Sequence, residues 1–240
     1  MLDRALDVLW SRSCAGCGRG AWPFCRSCVA LLEPLGPPWC RRCGRPTAAD
    51  VDGCPDCPPA PIASARAAFA YRGPAREAVH RLKFSGWRGV GAALARSIAA
   101  VEPPTADAVT WVPLAPRRRA ERGFDQARVL ARALSRAIDL PLAAYVRRVH
   151  ATAPQARRSR EQRLAAMAGA FAPLPRRPAP PTVLLVDDVL TTGATASACA
   201  SALADAGART IHLVTACRSF SDRRAATSRF AGAGGADLYS

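Results

Sequence analysis

The chain has 240 residues, enough for one sizeable core and a smaller module at roughly 100–200 residues per domain. Its 34 Lys and Arg stand against 18 Asp and Glu, a net charge of +16, and Lys83 is the single lysine. Part of that excess is a general bias toward Arg, Ala and Pro; the rest favours polyanionic ligands, whether phosphorylated metabolites, nucleic acid or an acidic membrane surface.

The opening stretch MLDRALDVLW places Leu2, Leu6, Leu9 and Trp10 on one helical face, but Asp3, Arg4 and Asp7 interrupt it. It therefore lacks the unbroken apolar core of a signal peptide. No run approaches the ~18 to 20 apolar residues of a spanning helix, so a cytoplasmic protein with no membrane span is expected. Thiols stay reduced in that compartment, and ten cysteines then call for metal or reactivity before disulfides.

Eight of the ten form four Cys-x-x-Cys pairs: Cys14/Cys17, Cys25/Cys28, Cys40/Cys43 and Cys54/Cys57. Two such pairs close a tetrahedral Zn²⁺ site, so four pairs imply two ions, and four thiolates per ion leave no open position for catalysis. Pairing in chain order is expected, Cys14, Cys17, Cys25 and Cys28 on one ion and Cys40, Cys43, Cys54 and Cys57 on the other; interleaved pairing is the alternative. Metal would supply the folding free energy of so small a segment. Arg19, Arg26, Arg41, Arg42 and Arg45 around it read as a solvated face before a nucleic-acid contact.

Pro58, Pro59 and Pro61 read as a stiff boundary. The expected units are a double zinc-ribbon module over 1–60, an α/β domain over 61–220 and a loose tail over 221–240. Residues 65–71 read as a first strand, a helix then runs to Phe84, and 91–101 is a second, alanine-rich helix. Residues 108–112 make a short buried strand, stopped by Pro113 and followed by Arg117, Arg118 and Arg119, a cluster suited to a pyrophosphate because guanidinium groups bind phosphate oxygens two at a time. The next helix reaches about Ile138, with Val129, Leu130, Leu134 and Ile138 on its apolar face. Between Thr152 and Arg163 the chain is rich in Gln and Arg, the composition of a closing flap, a nucleic-acid contact or a solvated loop.

Residues 182–186 are apolar or β-branched without alternation, the pattern of a strand buried on both faces of a parallel sheet. Asp187 and Asp188 follow, then the hydroxyl and glycine run Thr191, Thr192, Gly193, Ala194, Thr195, then a helix to Leu203. Gly193 lets backbone approach an anion, a helix N-terminus offers unpaired N–H groups, and the threonine hydroxyls donate to what those miss. The loop reads as a monophosphate cradle, and the acidic pair suits neighbouring hydroxyls or a water-held Mg²⁺; a ribose 5-phosphate fits both. There is no P-loop, and Gly89 and Gly91 follow no predicted strand, which argues against a dinucleotide fingerprint. Residues 210–216 are a further strand completing a βαβ unit. Cys199 and Cys217 fall outside the paired pattern and read as core or near-surface thiols.

VLLVDDVLTTGAT resembles the 5-phosphoribosyl-1-pyrophosphate (PRPP) motif of type I phosphoribosyltransferases through all thirteen positions. The four Cys pairs, YRGPAREAVHRLKF, WVPLAPRRRAERGFDQA and that motif occur in this order in the ComF/GntX-type family, to which the chain is similar over nearly its full length. The resemblance implies a type I phosphoribosyltransferase-like parallel sheet flanked by helices, beside the small zinc-ribbon module with four cysteines to each ion. It implies PRPP with Mg²⁺, the 5-phosphate on Thr191, Thr192, Gly193, Ala194 and Thr195, the ribose hydroxyls on Asp187 and Asp188, and the pyrophosphate on Arg117, Arg118, Arg122 and Lys83. Two positions depart from the family's pattern: Asp125 and Ala166 each stand where an Asn is usual, removing an amide that could read a base or a phosphate.

If active, such a domain displaces pyrophosphate from C1 of the ribose through a cationic, oxocarbenium-like transition state stabilised by positioning and charge. The resemblance also implies a setting in natural competence, where imported single-stranded DNA meets a helicase-like ATPase. The alternative expectation is a non-catalytic module that holds single-stranded nucleic acid through its arginines. Aromatics for stacking are sparse, so that binding is expected to be mainly electrostatic.

Overall fold

The computed structural model describes residues 13–149, 162 and 166–220. The predicted flap falls outside them apart from Gln162, and the opening stretch up to residue 12 and the tail from 221 fall outside them entirely. Four parallel strands make the central sheet: β1 (Ile62–Ala70), β2 (Ala108–Trp111), β5 (Thr182–Leu190) and β6 (Thr210–Arg218), in the order β1-β6-β5-β2. Burial on both faces explains the unbroken apolar run of β5. Leu184 and Val186 pack on one side with α2 (Gly73–Phe84), α3 (Val90–Ala99) and α5 (Gln126–Ala137), while Val183 and Leu185 pack on the other with α6 (Ala194–Asp205).

The cysteine segment wraps this sheet. Cys14 and Cys28, the latter in the short helix α1 (Arg26–Ala30), share the core cluster of α2 and α3. Cys40, Cys43 and Cys57 share that of α6 on the opposite face. The connection between them runs along the outer edge of β1, where the Leu35 amide donates to the Ala68 carbonyl at 2.9 Å and the Ala70 amide to that of Glu33 at 2.9 Å. At the other edge, the amides of Val109 and Ala143 bond Pro141 and Val109 carbonyls at 2.8 and 3.1 Å. Both edges are thereby covered, which removes the template for pairing with another chain.

Three elements were absent from the sequence reading. Helix α4 (Pro116–Arg122) carries Pro at its start and no buried residue. Strands β3 (Val146–Arg148) and β4 (Phe171–Pro173) pair antiparallel beside α6, burying Val146 and Phe171. The prolines at 58–61 are bonded on both sides: Arg42 donates to the Pro58 carbonyl at 3.2 Å and Ser197 of α6 to that of Pro59 at 3.3 Å. No helix among the described residues is long and apolar enough to cross a membrane.

Candidate functional site

Strand β5 does not end before the acidic pair, as the sequence suggested, but runs through it to Leu190. Neighbouring residues of a strand project to opposite faces, so the two carboxylates separate. Asp187, partly exposed, lines a small cavity of about 40 Å³ with Thr191, Gly193, Ala194, Thr195 and Thr215. Asp188 is 4% exposed and meets Lys83 across the sheet's other face, Nζ to Oδ1 2.7 Å. Its second oxygen, Oδ2, is buried with no hydrogen-bond partner. A buried, unsatisfied carboxylate oxygen is costly, and it fits a site that a ligand hydroxyl or a cation completes.

The turn into α6 is shaped for an anion. Gly193 caps the helix in the left-handed conformation, φ 80°, and no side chain caps the helix start. Beyond the Ala194 amide, which Thr192 engages, the N–H groups of that first turn face the cavity that Ala194, Thr195 and Ala196 line and can meet a ligand there. Thr192 Oγ1 accepts from the Ala194 amide at 3.4 Å. A Cβ on Gly193 would stand 3.0 Å from the Pro58 Cβ, so the loop rests directly on the end of the second cysteine group.

Electrostatics concentrate at the acidic pair. Burial and the neighbouring Asp188 carboxylate push the Asp187 carboxyl up, to about 8. Burial pulls the Lys83 ammonium down, but the Asp188 carboxylate against it prevails and holds it above its usual value. Burial lowers the Arg122 guanidinium, with Asp188 acting in the opposite sense. Arg122 lies over the Phe84 ring, 4.7 Å from its centroid, and donates to Gln126 at 3.0 Å.

The predicted arginines divide on α4 by helical geometry. Arg118 and Arg122 stand four residues apart on one face, whereas Arg117 shares the next with Glu121, to which its Nε donates at 2.9 Å with 85% of its side chain exposed. The structure gathers Lys83, Arg122, Asp187, Asp188 and the Thr191–Thr195 turn, but it does not bring Arg117 to them. Arg118 is exposed, within electrostatic reach of Arg122 and Arg148.

Asp125 is buried and caps α5, accepting from the amides of Ala127 and Arg128 at 3.1 and 3.3 Å and of Leu114 at 3.0 Å. Asp and Asn cap helices about equally well, but only a carboxylate accepts at both oxygens, so Asp125 holds the Leu114 amide in addition to the cap. Arg148 and Thr215 were missed by sequence reasoning. Arg148 comes from a three-residue strand without periodicity, and Thr215 from an apolar strand in which its hydroxyl bonds the Cys217 carbonyl at 2.9 Å.

The eight paired cysteines gather in chain order, Cys14, Cys17, Cys25 and Cys28 in one group and Cys40, Cys43, Cys54 and Cys57 in the other, with the sulfurs of each group within 4.8 Å of one another. Sulfur separations of 3.8 Å (Cys17 to Cys25), 3.6 Å (Cys40 to Cys57) and 3.5 Å (Cys43 to Cys54) match the ~3.8 Å edge of a tetrahedron with Zn–S of ~2.3 Å. The donor set fits closed structural zinc. Buried Arg218, at the end of β6, ties the second group to the sheet by donating to the Cys43 carbonyl and, at 3.0 Å, to that of Asp56.

Comparison with known proteins agrees with this arrangement. Residues 5–58 match the family model of the double zinc ribbon domain, and residues 123–229 that of the phosphoribosyl transferase domain. The chain is 30% identical over 212 residues to the DNA utilization protein YhgH of Salmonella typhi, covering 82% of this chain and 91% of the relative. Identity to the protein of that name from Escherichia coli K12 is also 30%, over 216 residues, covering 83% and 92%. A solved structure, TT1426 from Thermus thermophilus, is 20% identical with a TM-score of 0.31, covering 63% of this chain and 93% of that one. With both domain models in the expected order and relatives aligned over most of their length, the chain belongs to the ComF/GntX-type family, which joins a double zinc ribbon to a phosphoribosyltransferase domain.

Proposed function

We propose that the chain binds PRPP with Mg²⁺ at the turn between β5 and α6 and transfers the phosphoribosyl group to a nucleophile, releasing pyrophosphate. The observation that carries this reading is the cavity at that turn, floored by the first turn of α6, whose N-cap is a glycine, and walled by Asp187, Thr191, Gly193 and Thr195. The 5-phosphate would lie on the N–H groups and hydroxyls of residues 191–195. Ribose hydroxyls would meet Asp187, with the free Oδ2 of Asp188 as a further acceptor for a hydroxyl or a hydrated cation. Lys83, Arg122 and, from the rim, Arg118 would balance the charge of the departing pyrophosphate. Mg²⁺ would supply charge neutralisation there, for which Asp187, the carboxylate that lines the cavity, is a suitable donor.

The role would lie in the handling of imported DNA in the cytoplasm. The name DNA utilization protein borne by the relatives and the net charge of +16 support that setting. Those features equally favour a second reading, a non-catalytic module that binds single strands electrostatically, with a helicase-like ATPase as partner. Pyrophosphate release with PRPP, Mg²⁺ and a panel of bases and amines separates the two, with Asp188→Asn as control. Release that disappears in the variant upholds the transferase. No release with any acceptor, together with salt-sensitive binding of single strands, upholds the module.

A further inference from the structure

A second and larger cavity, about 600 Å³, opens between the carboxyl end of β2, α4 and β3. Its size falls in the ordinary range of small-molecule pockets, ~300–1,000 Å³. Trp111, Leu114 and Val146 give it apolar walls, and Arg119, Arg128, Arg147 and Arg148 line it as well. Asp125 is the single carboxylate among its lining residues, and three backbone amides already occupy that carboxylate. Arg119 and Arg147 are exposed and make no ion pair among the described residues, while Arg128 lies over the Trp111 ring, 5.4 Å from its centroid. The cleft therefore offers a flat apolar surface ringed by guanidinium groups with little negative charge of its own. It adjoins the cavity at the β5–α6 turn: Trp111, on its wall, pairs with Val186, the residue before Asp187, and the Val112 amide donates to the Val186 carbonyl at 3.0 Å.

We propose that this cleft is the acceptor compartment and that it takes a planar nitrogen nucleophile carrying a carboxylate, such as a carboxylated aromatic amine or heteroaromatic base. The assignment of an acceptor role rests on the transferase reading above; the preference for a carboxylated planar ligand rests on the cleft alone. Guanidinium groups bind carboxylates in bidentate pairs, and the plane of the ligand would lie along the Trp111 wall. In the transfer, the nitrogen lone pair forms the N–C1 bond as the C1–O bond to pyrophosphate breaks, its electron pair leaving on pyrophosphate. The proton displaced from nitrogen passes to solvent, and no oxidant or reductant is needed. A neutral acceptor of the same shape would leave Arg119 and Arg147 without a counter-charge and gain only the apolar contact.

Calorimetry on the full zinc-loaded chain tests this with matched probes, anthranilate against aniline and orotate against uracil, each with and without PRPP and Mg²⁺. The carboxylated member of at least one pair should bind without PRPP, about tenfold or more tighter than its neutral partner. Arg147→Gln, at an exposed position outside the arginine cluster of α4, should reduce that difference at least threefold while PRPP binding is unchanged. The proposal is overturned if no pair discriminates, if the variant keeps the full preference, or if a single-stranded oligonucleotide occupies the cleft and no carboxylated probe competes with it. The two readings fail separately. Carboxylate binding without PRPP binding sinks the transferase and keeps the cleft's ligand class, whereas PRPP binding without discrimination does the reverse.

Discussion

Replacing Lys83 by Met tests how far the acidic pair depends on one cation. Lys83 is the chain's single lysine, and its ammonium lies 2.7 Å from Asp188, with side chains 19% and 6% exposed. Removing one partner of a buried pair costs about 3–5 kcal/mol, because the other charge remains uncompensated. Here the penalty falls on Asp188, whose other oxygen has no partner and whose neighbour is a second carboxylate. Partial access of water at Lys83 argues for the lower end, about 3 kcal/mol. In a chain of this size that lowers the melting temperature by about 6–12 °C, at roughly 2–4 °C per kcal/mol. Thermal unfolding of the zinc-loaded, ligand-free protein at neutral pH, followed by circular dichroism, reads it directly. Lys83→Arg should recover part of the loss, since it keeps the charge. A Lys83→Met protein that melts within about 2 °C of the parent would show the pair to be worth no more than a surface contact and refute the reasoning.

The Asp187 carboxyl titrates near 8 in the fold against an ordinary value of 3.8, so between those values the folded state holds a proton that the unfolded chain has lost. Stability of the ligand-free protein should therefore fall as pH rises from about 4 to 8. Asp187→Asn should flatten that slope and stabilise the ligand-free protein at pH 8.5 by about 2 kcal/mol, after allowance for solvent at its open side, while abolishing PRPP binding; urea titrations across pH check the first effect and calorimetry the second. Because Pro58 packs on Gly193 and Pro59 accepts from Ser197, loss of the second metal should loosen the phosphate turn. Cys54→Ser with Cys57→Ser should weaken PRPP binding about tenfold or more, and Cys17→Ser in the first group should leave it unchanged. Asp125→Ala should cost about 2 kcal/mol in denaturant unfolding, since it strips a helix cap and an acceptor from buried amides, and Asp125→Asn about 1 kcal/mol, since its one amide oxygen keeps the cap but its Nδ2 cannot accept from the Leu114 amide.

What the sequence made legible was local. The β5 strand, its turn and α6 are contiguous, so their order and the glycine between them could be read without knowing the rest of the fold. The cysteine spacing likewise carried its own geometry. The acidic pair was misplaced in a loop because buried strands seldom hold two charges; had the strand been extended to Leu190, alternation alone would have sent the two carboxylates to opposite faces. Helix α4 escaped notice because its arginines bury nothing and leave no apolar period, and β3 and β4 because three-residue strands have none to show. The contact of Pro58 with Gly193 joins residues remote in the chain, and only the fold reveals that the cysteine segment buttresses the turn between β5 and α6.

Titrating PRPP into the zinc-loaded chain in a calorimeter, with Mg²⁺ present, bears most directly on the central claim. A single saturable site per chain is predicted, with affinity lost in Asp187→Asn and Asp188→Asn proteins that still fold. Absence of any heat of association at PRPP concentrations into the millimolar range, from a parent protein shown to be folded and metal-loaded, would contradict it.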